Sequence, residues 1–254
     1  QGLLKYTNNS NGIASTAGKF SSAFALGNKL FQTKDPEYAE KLKSKSISAF
    51  KLGIKYPGVC QTAPCRAPYY YEEENWADDM QLAATAIKDA FNEEEIQHLL
   101  SKNLLAYAYD QALKEPITPW MLTDTARHYQ WYPFINLGHY ALAKQIEGSE
   151  KEKIIDFYRK GIDMVHLRAN KNAFNRGIPF IWCSNNLTTS FAIQCIWYKE
   201  LSGDSSYAKL EQANFDWLFG CNPWGTSFVF GLPDNADTPV DPHSAFTHIG
   251  KFPI

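Results

Sequence analysis

The sequence predicts an all-α fold in which antiparallel helix pairs close into a helical barrel or toroid. Three observations predict it. Segments with apolar residues at helical spacing follow one another along almost the whole 254-residue chain. Strand-like alternation is nearly absent, a short stretch near Phe228-Val229-Phe230 aside. The joins also differ in kind. Thr33-Lys34-Asp35, Gly148-Ser149 and Ser202-Gly203-Asp204 are tight, whereas Lys55 to Glu72, Lys114 to Pro133, Asn170 to Asn185 and Gly220 to Ile254 are long and rich in Pro, Tyr, Trp and Asn. Short joins make antiparallel pairs, and long joins between pairs gather at one end of the bundle. Function belongs on that long-loop end.

The elements follow in order. Ser15 to Gln32 opens on a Ser/Thr cap and is amphipathic. Asp35 is the N-cap of a helix from Pro36 to Leu52, with the proline at the first helical position. Glu73 to Ala90 carries Trp76, Met80, Ala83, Ala84 and Ile87 at helical spacing. Asn92 to Leu113 begins NEEE, acids at the positive end of a helix. Phe134 to Glu147, Glu150 to Ala169, Asn186 to Leu201 and Asp204 to Phe219 complete eight expected helices. No linker or composition shift marks a domain boundary, so residues 1–254 read as one partial domain.

Composition excludes several function classes. A net charge of -2 gives no general attraction to nucleic acid. No apolar run approaches the roughly 18 to 20 residues of a membrane span. The first residue is Gln1 with no signal-peptide pattern behind it, which reads as a mature, cut or engineered end. A hydrophobic content of 44% supports a sizeable core. Aromatics reach 15%, and Trp and Tyr offer a flat apolar face with a hydrogen-bonding edge, suited to gripping sugars. Cys60 and Cys65 are close enough to pair across a loop or stay as thiols; Cys183, Cys195 and Cys221 read as single buried thiols. No metal-ligand spacing and no P-loop, GxSxG, HExxH or dinucleotide fingerprint occurs.

Four stretches concentrate chemistry. In CRAPYYYEEENWADDM (65–80), Glu72, Glu73 and Glu74 read as charges capping a helix start, and Tyr69 to Tyr71 sit in the loop before it. In PWMLTDTARHYQWYPF (119–134), aromatics and Arg127, His128 and Tyr129 crowd a loop, either packing it or meeting a ligand; Asp124 reads as a cap. In FIWCSNNL (180–187), Ser184 or Asn185 caps a helix that can also face a cleft. Asn186-Leu187-Thr188 and Asn8-Asn9-Ser10 match the glycosylation sequon. LFGCNPWGTSFVFGLP (218–233) ends a helix in a turn set by Pro223 and Gly225, with Trp224 as its anchor, ahead of the loop histidine His243.

Together these stretches resemble glycoside hydrolase family 9, cellulases built on an (α/α)6 barrel. CNPWGTSFVFG looks like the family loop NP-x-G-x-S-[YF]-V-x-G, followed by Asp241-Pro242-His243 in place of NPH. Trp182 to Asn186 resembles its W-G-S-N segment, and Tyr70, Glu72, Glu73 and Trp76-Ala77 its Y-x-DE-x-x-WAA segment. Trp131 with Gly138 resembles, more loosely, its SWD segment. The first helix pair also matches, and the likeness runs through nearly the whole chain. It implies an incomplete barrel of about eight helices, and inverting hydrolysis of β-linked glucan or a related glycan, the two carboxyls roughly 6.5–9.5 Å apart. The family's DAGD base and late Glu acid have no counterpart here, so no catalytic residue is expected in this chain, which alone would be inactive. Where the family has an arginine two residues after the histidine, this chain has Ala245, implying a divergent branch.

The resemblance assigns substrate contact to Tyr70, Trp131, Trp182, Asn186 and His243. It requires no cofactor but allows a structural Ca2+, for which carboxylates such as Glu72 or Glu73 suit a hard cation. The partner is an oligo- or polysaccharide, and the compartment secreted or periplasmic. Two competing readings are a non-catalytic glycan-binding protein on the same scaffold and a polysaccharide lyase on a related toroid.

Overall fold

The computed structural model describes residues 10–60, 73–126, 136–179, 181, 184–229 and 231–233. Among these residues there are ten helices and no strand: α1 Ala14–Phe31, α2 Pro36–Lys55, α3 Ala77–Ala90, α4 Glu93–Ile96, α5 Leu104–Ala112, α6 Pro119–Leu122, α7 Leu137–Ala143, α8 Gly148–Ala169, α9 Ser184–Ser202 and α10 Ala208–Leu218. The chain divides into two compact units, residues 1–118 with 127–130 and 134–157, and residues 119–126 with 131–133 and 158–254.

In the first unit α1 pairs with α2 and both lie on α3, to which α5 and α7 also pack. Asp35 caps α2 as expected, its Oδ1 accepting from the Tyr38 amide at 3.0 Å with Pro36 at the first position. Small residues let the helices approach closely. A Cβ on Gly18 would lie 2.6 Å from the Asp79 carbonyl carbon, so α1 and α3 touch backbone to backbone there. Ser21 and Ser46 are fully buried and satisfy each other across α1 and α2: each hydroxyl donates to the other's carbonyl, at 2.9 and 2.8 Å. Phe50, Met80, Ala83, Ala84 and Ile87 make the dry core.

Several boundaries differ from the sequence expectation, three of them for a clear local reason. The helix expected over 92–113 is two: Asn92 and Glu95 form a capping box for α4, the Ser101-Lys102-Asn103 stretch interrupts, and Asn103 caps α5 through the Leu105 amide at 2.7 Å. α3 begins at Ala77 rather than Glu73, because the Asn75 Oδ1 takes the Trp76 and Ala77 amides at 2.7 and 2.9 Å and turns the chain just before the helix. α10 starts at Ala208 rather than Asp204, whose carboxylate instead accepts from the Ser206 amide at 2.8 Å and the Tyr198 hydroxyl at 2.7 Å. α6 was not expected, its four residues being too few to show a period.

In the second unit α9 packs against α10. Trp120, fully buried, meets Phe191 edge-on at 6.5 Å. Arg168 near the end of α8 donates to three backbone carbonyls, Gly177 at 2.9 Å, Met121 at 3.0 Å and Trp120 at 3.3 Å, and so ties α6 and the segment after α8 to that helix. Gly177 permits this, since a Cβ there would lie 2.1 Å from the Val165 carbonyl oxygen. Asp124, expected as a cap, is exposed and lies 3.6 Å from Arg168.

Candidate functional site

The best-defined candidate surface lies in the second unit, where the start of α9 meets the loop after α10. Asn222 builds that loop. Its side chain is buried and makes four bonds: Nδ2 donates to the Trp217 and Thr226 carbonyls at 2.9 and 2.8 Å, and Oδ1 accepts from the Trp224 and Thr226 amides at 3.1 and 3.4 Å. Gly220 and Gly225 take positive φ of 114° and 61°, conformations open to glycine without strain. The loop therefore hangs on Asn222, with the two glycines allowing the turns, and Trp224 is not its anchor. Trp224 is 64% exposed. Cys221, expected to be buried, is exposed on the same turn, while Cys195 is buried as expected.

A string of aromatic rings runs through this region. Phe174 meets Trp217 at 5.7 Å, Trp217 meets Trp224 at 6.0 Å, and Trp224 meets Phe228 at 6.0 Å, all near-perpendicular. The Arg176 guanidinium sits 4.3 Å from the Trp217 ring centroid and donates to the Ser184 and Thr188 hydroxyls, each at 3.1 Å. Burial pulls the Arg176 pKa down to about 10, so it stays a cation at neutral pH. The Trp217 indole N–H donates to Asn185 Oδ1 at 3.4 Å, which links the helix start to the loop. Asn186, next along, is exposed at the first turn of α9.

Of the five residues expected to touch substrate, Asn186 is in this neighbourhood. Tyr70, Trp131, Trp182 and His243 lie outside the described residues, as do Glu72, Cys65, Cys183, Arg127, His128, Tyr129 and Asn8. Sequence reasoning missed Arg176 and Phe174 as parts of this surface, whereas it had singled out Asn185 at the start of α9. Asn222 was legible as the first residue of the NPWG turn. Arg176 had no signal, because its partners come from α9 and α10.

A second constellation lies in the first unit. Lys19 Nζ is 2.5 Å from Glu73 Oε1 and 2.7 Å from Asp79 Oδ2. Both carboxylates are buried, so Glu73 is an ion-pair partner inside the unit and not a surface capping charge. Burial works against the Lys19 ammonium, but Asp79 and Glu73 outweigh it and hold its pKa above the usual lysine value. Burial, then neighbouring Asp78, pushes Asp79 well above the carboxylate range despite Lys19. Glu115, also buried, is pushed up to about 9 by burial and then by Asp78. The Lys114 ammonium lies 4.8 Å from the Trp76 ring centroid, on the segment that leads into α3.

Glycosyl hydrolase family 9 matches residues 1–253. The chain belongs to that family. Among solved structures, it is similar to a metagenome-derived family 9 endoglucanase at 16% identity, with 89% of this chain and 40% of that chain covered and a TM-score of 0.62. It is similar to a single-mutant thermostable endoglucanase from Alicyclobacillus acidocaldarius at 18% identity, covering 85% of this chain and 39% of that one, TM-score 0.58. It is also similar to the catalytic domain of Clostridium thermocellum CelT at 18% identity, covering 91% and 51%, TM-score 0.56. No curated protein matches. The fold is thus the expected one, an incomplete form of the (α/α)6 barrel of these family 9 neighbours. The chain spans about half or less of the length of the solved structures it matches. No helix among the described residues is long and apolar enough to cross a membrane.

Proposed function

We propose that this chain is the middle-to-late part of a family 9 catalytic domain that hydrolyses β-glycosidic bonds in a β-glucan or related glycan. The observation that carries the reading is the family match over residues 1–253. A solved neighbour of this fold is a complex with cellobiose-like isofagomine, which supports a short β-glucan as ligand. On this reading the mechanism is inverting: an acid protonates the leaving oxygen while a carboxylate on the other face activates water. Both groups, the Asp base and the Glu acid, come from chain outside these 254 residues. These residues contribute binding: Tyr70, Trp131 and Trp182 stack on sugar, and Asn186 and His243 hydrogen-bond its hydroxyls. Trp224 and Phe228 add exposed ring surface in the loop after α10. The partner is an oligo- or polysaccharide, and the setting is extracellular or periplasmic.

The test pairs this chain with its full-length parent on soluble β-glucan. The parent should release reducing ends, with the α-anomer forming first by NMR, and the 254-residue chain should release none. A first product in the β configuration refutes the mechanism. A parent that binds the glucan but never cleaves it, and lacks the two carboxylates, refutes hydrolysis in favour of a binding protein.

A further inference from the structure

The exposed face of α1 and α2 carries an apolar groove. Phe20 and Phe24 of α1, their rings stacked at 5.7 Å, line one side, and Tyr38, Leu42, Ala49 and Leu52 of α2 line the other, around a space of about 700 Å³. The α2 residues recur at helical spacing, so from Tyr38 to Leu52 they form a stripe about 21 Å long at roughly 1.5 Å per residue. Phe20 is 54% exposed, Tyr38 42% and Leu52 44%. Single apolar residues on a surface need no account, but a row of large ones along a groove marks a surface that something covers. Beneath it the reciprocal Ser21 and Ser46 hydrogen bonds lock the two helices together, so the groove is preformed. Its rim is basic. Lys41 and Lys45 line the groove one turn apart on α2, and among the described residues neither forms an ion pair. Lys43, on the opposite side of α2, instead reaches Glu40 and Glu95 at 2.6 and 2.7 Å.

We propose that this groove seats an amphipathic helix from the rest of the parent chain, with an apolar stripe that fills the groove and acidic residues beside the stripe that pair with Lys41 and Lys45. Two observations select this occupant. The described chain covers 38% to 51% of the solved chains whose fold it shares, so a full barrel of that kind has further helices to pack against it. The rim charge then sets the chemistry: like charges at i and i+4 repel, and an acidic flank relieves that repulsion while it fixes the register of the incoming helix. A side-chain ridge of that helix fits between the Phe20–Phe24 side and the α2 stripe as helix ridges enter grooves elsewhere. A second copy of this chain suits the groove poorly, because a two-fold contact sets the patch against itself and brings the lysines of both copies together. The inference rests on the proposed function only in that these residues are part of a longer barrel.

The test is made on the full-length parent and needs no variant. Carbodiimide, which joins an ammonium directly to a carboxylate, should link Lys41 or Lys45 to an Asp or Glu outside residues 1–254 of the same molecule. Hydroxyl-radical labelling read by mass spectrometry should mark Phe20 as weakly as Phe50, a phenylalanine that is fully buried in α2. Phe20 labelled several-fold above Phe50 in the native parent means an open groove and overturns the proposal. Links that join isotopically light and heavy copies overturn it in favour of a dimer. Protection of Phe20 with no link from either lysine removes the acidic flank and overturns it as well. Neither measurement reads activity, so failure here leaves the hydrolase reading standing, and an inactive parent leaves the helix seat standing.

Discussion

Replacing Arg168 by Met should destabilise the second unit by about 2–4 kcal/mol, because one guanidinium holds three carbonyls, two from α6 and one from the segment after α8. A hydrogen bond to a charged group contributes roughly 1.5–3 kcal/mol. Three such bonds set an upper limit that must be reduced on two counts. The side chain is 19% exposed, so water can replace part of what is lost, and the bond to the Trp120 carbonyl is long at 3.3 Å. The pair with exposed Asp124 adds little. Met keeps the apolar stem packed, so the change isolates the hydrogen bonds. For a chain of this size about 1 kcal/mol moves Tm by roughly 2–4 °C, giving an expected drop of about 5–15 °C. Arg168→Lys should fall between the two, since a compact ammonium lacks the planar fork whose spread nitrogens reach three separated carbonyls. Denaturant unfolding followed by tryptophan fluorescence reads the difference, as Trp120 and Trp217 both lie in this unit. A Met variant within about 0.5 kcal/mol of wild type would refute the claim that Arg168 holds these segments together.

Glu115→Gln should stabilise the chain at alkaline pH. The Glu115 carboxyl is pushed up to about 9 in the fold, so the folded state keeps a proton the unfolded state loses near its ordinary value of 4.5. Wild-type stability therefore falls as pH rises from about 5 to about 9, by an amount on the order of a few kcal/mol, and the glutamine variant should show a flatter profile in urea midpoints across that window. Asn222→Ala should cost about 2–3 kcal/mol, since it removes four bonds from a buried loop centre, whereas Trp224→Ala should cost only about 1 kcal/mol or less; thermal melts of the two compare them.

The helices were legible because their apolar faces repeat at helical spacing over many residues, as in α2 and α8. Their ends were less so. The start of α3 depends on a turn at Asn75, and the break before α5 on Asn103, each a single side chain competing with the helix for backbone amides. The all-helical class and the family loop at Asn222 were readable, since both are local in sequence. The Lys19–Glu73–Asp79 cluster was not, because it joins residues 54 and 60 positions apart and depends on an α1–α3 approach that only Gly18 permits. Glu73 illustrates the difference. Three consecutive glutamates before a helix look like capping charges, yet this one points inward to an ammonium that the sequence places far upstream.

The Asn222 loop shows how a fold can present an aromatic ring without burying it. A tryptophan used as an anchor would be packed, and its apolar area would stabilise the loop. Here the four bonds of Asn222 and two glycine turns already fix the backbone, so the loop does not need the ring in the core. Trp217 and Phe228 touch Trp224 at interplanar angles of 82° and 70°, which limits its motion and leaves most of its surface in solvent. Trp217 is in turn held by Arg176 and Asn185, both tied to the start of α9. A ring constrained in this way has lost much of its conformational freedom before any ligand arrives. A planar ligand stacking on it would then be spared part of the ordering cost that a mobile side chain imposes.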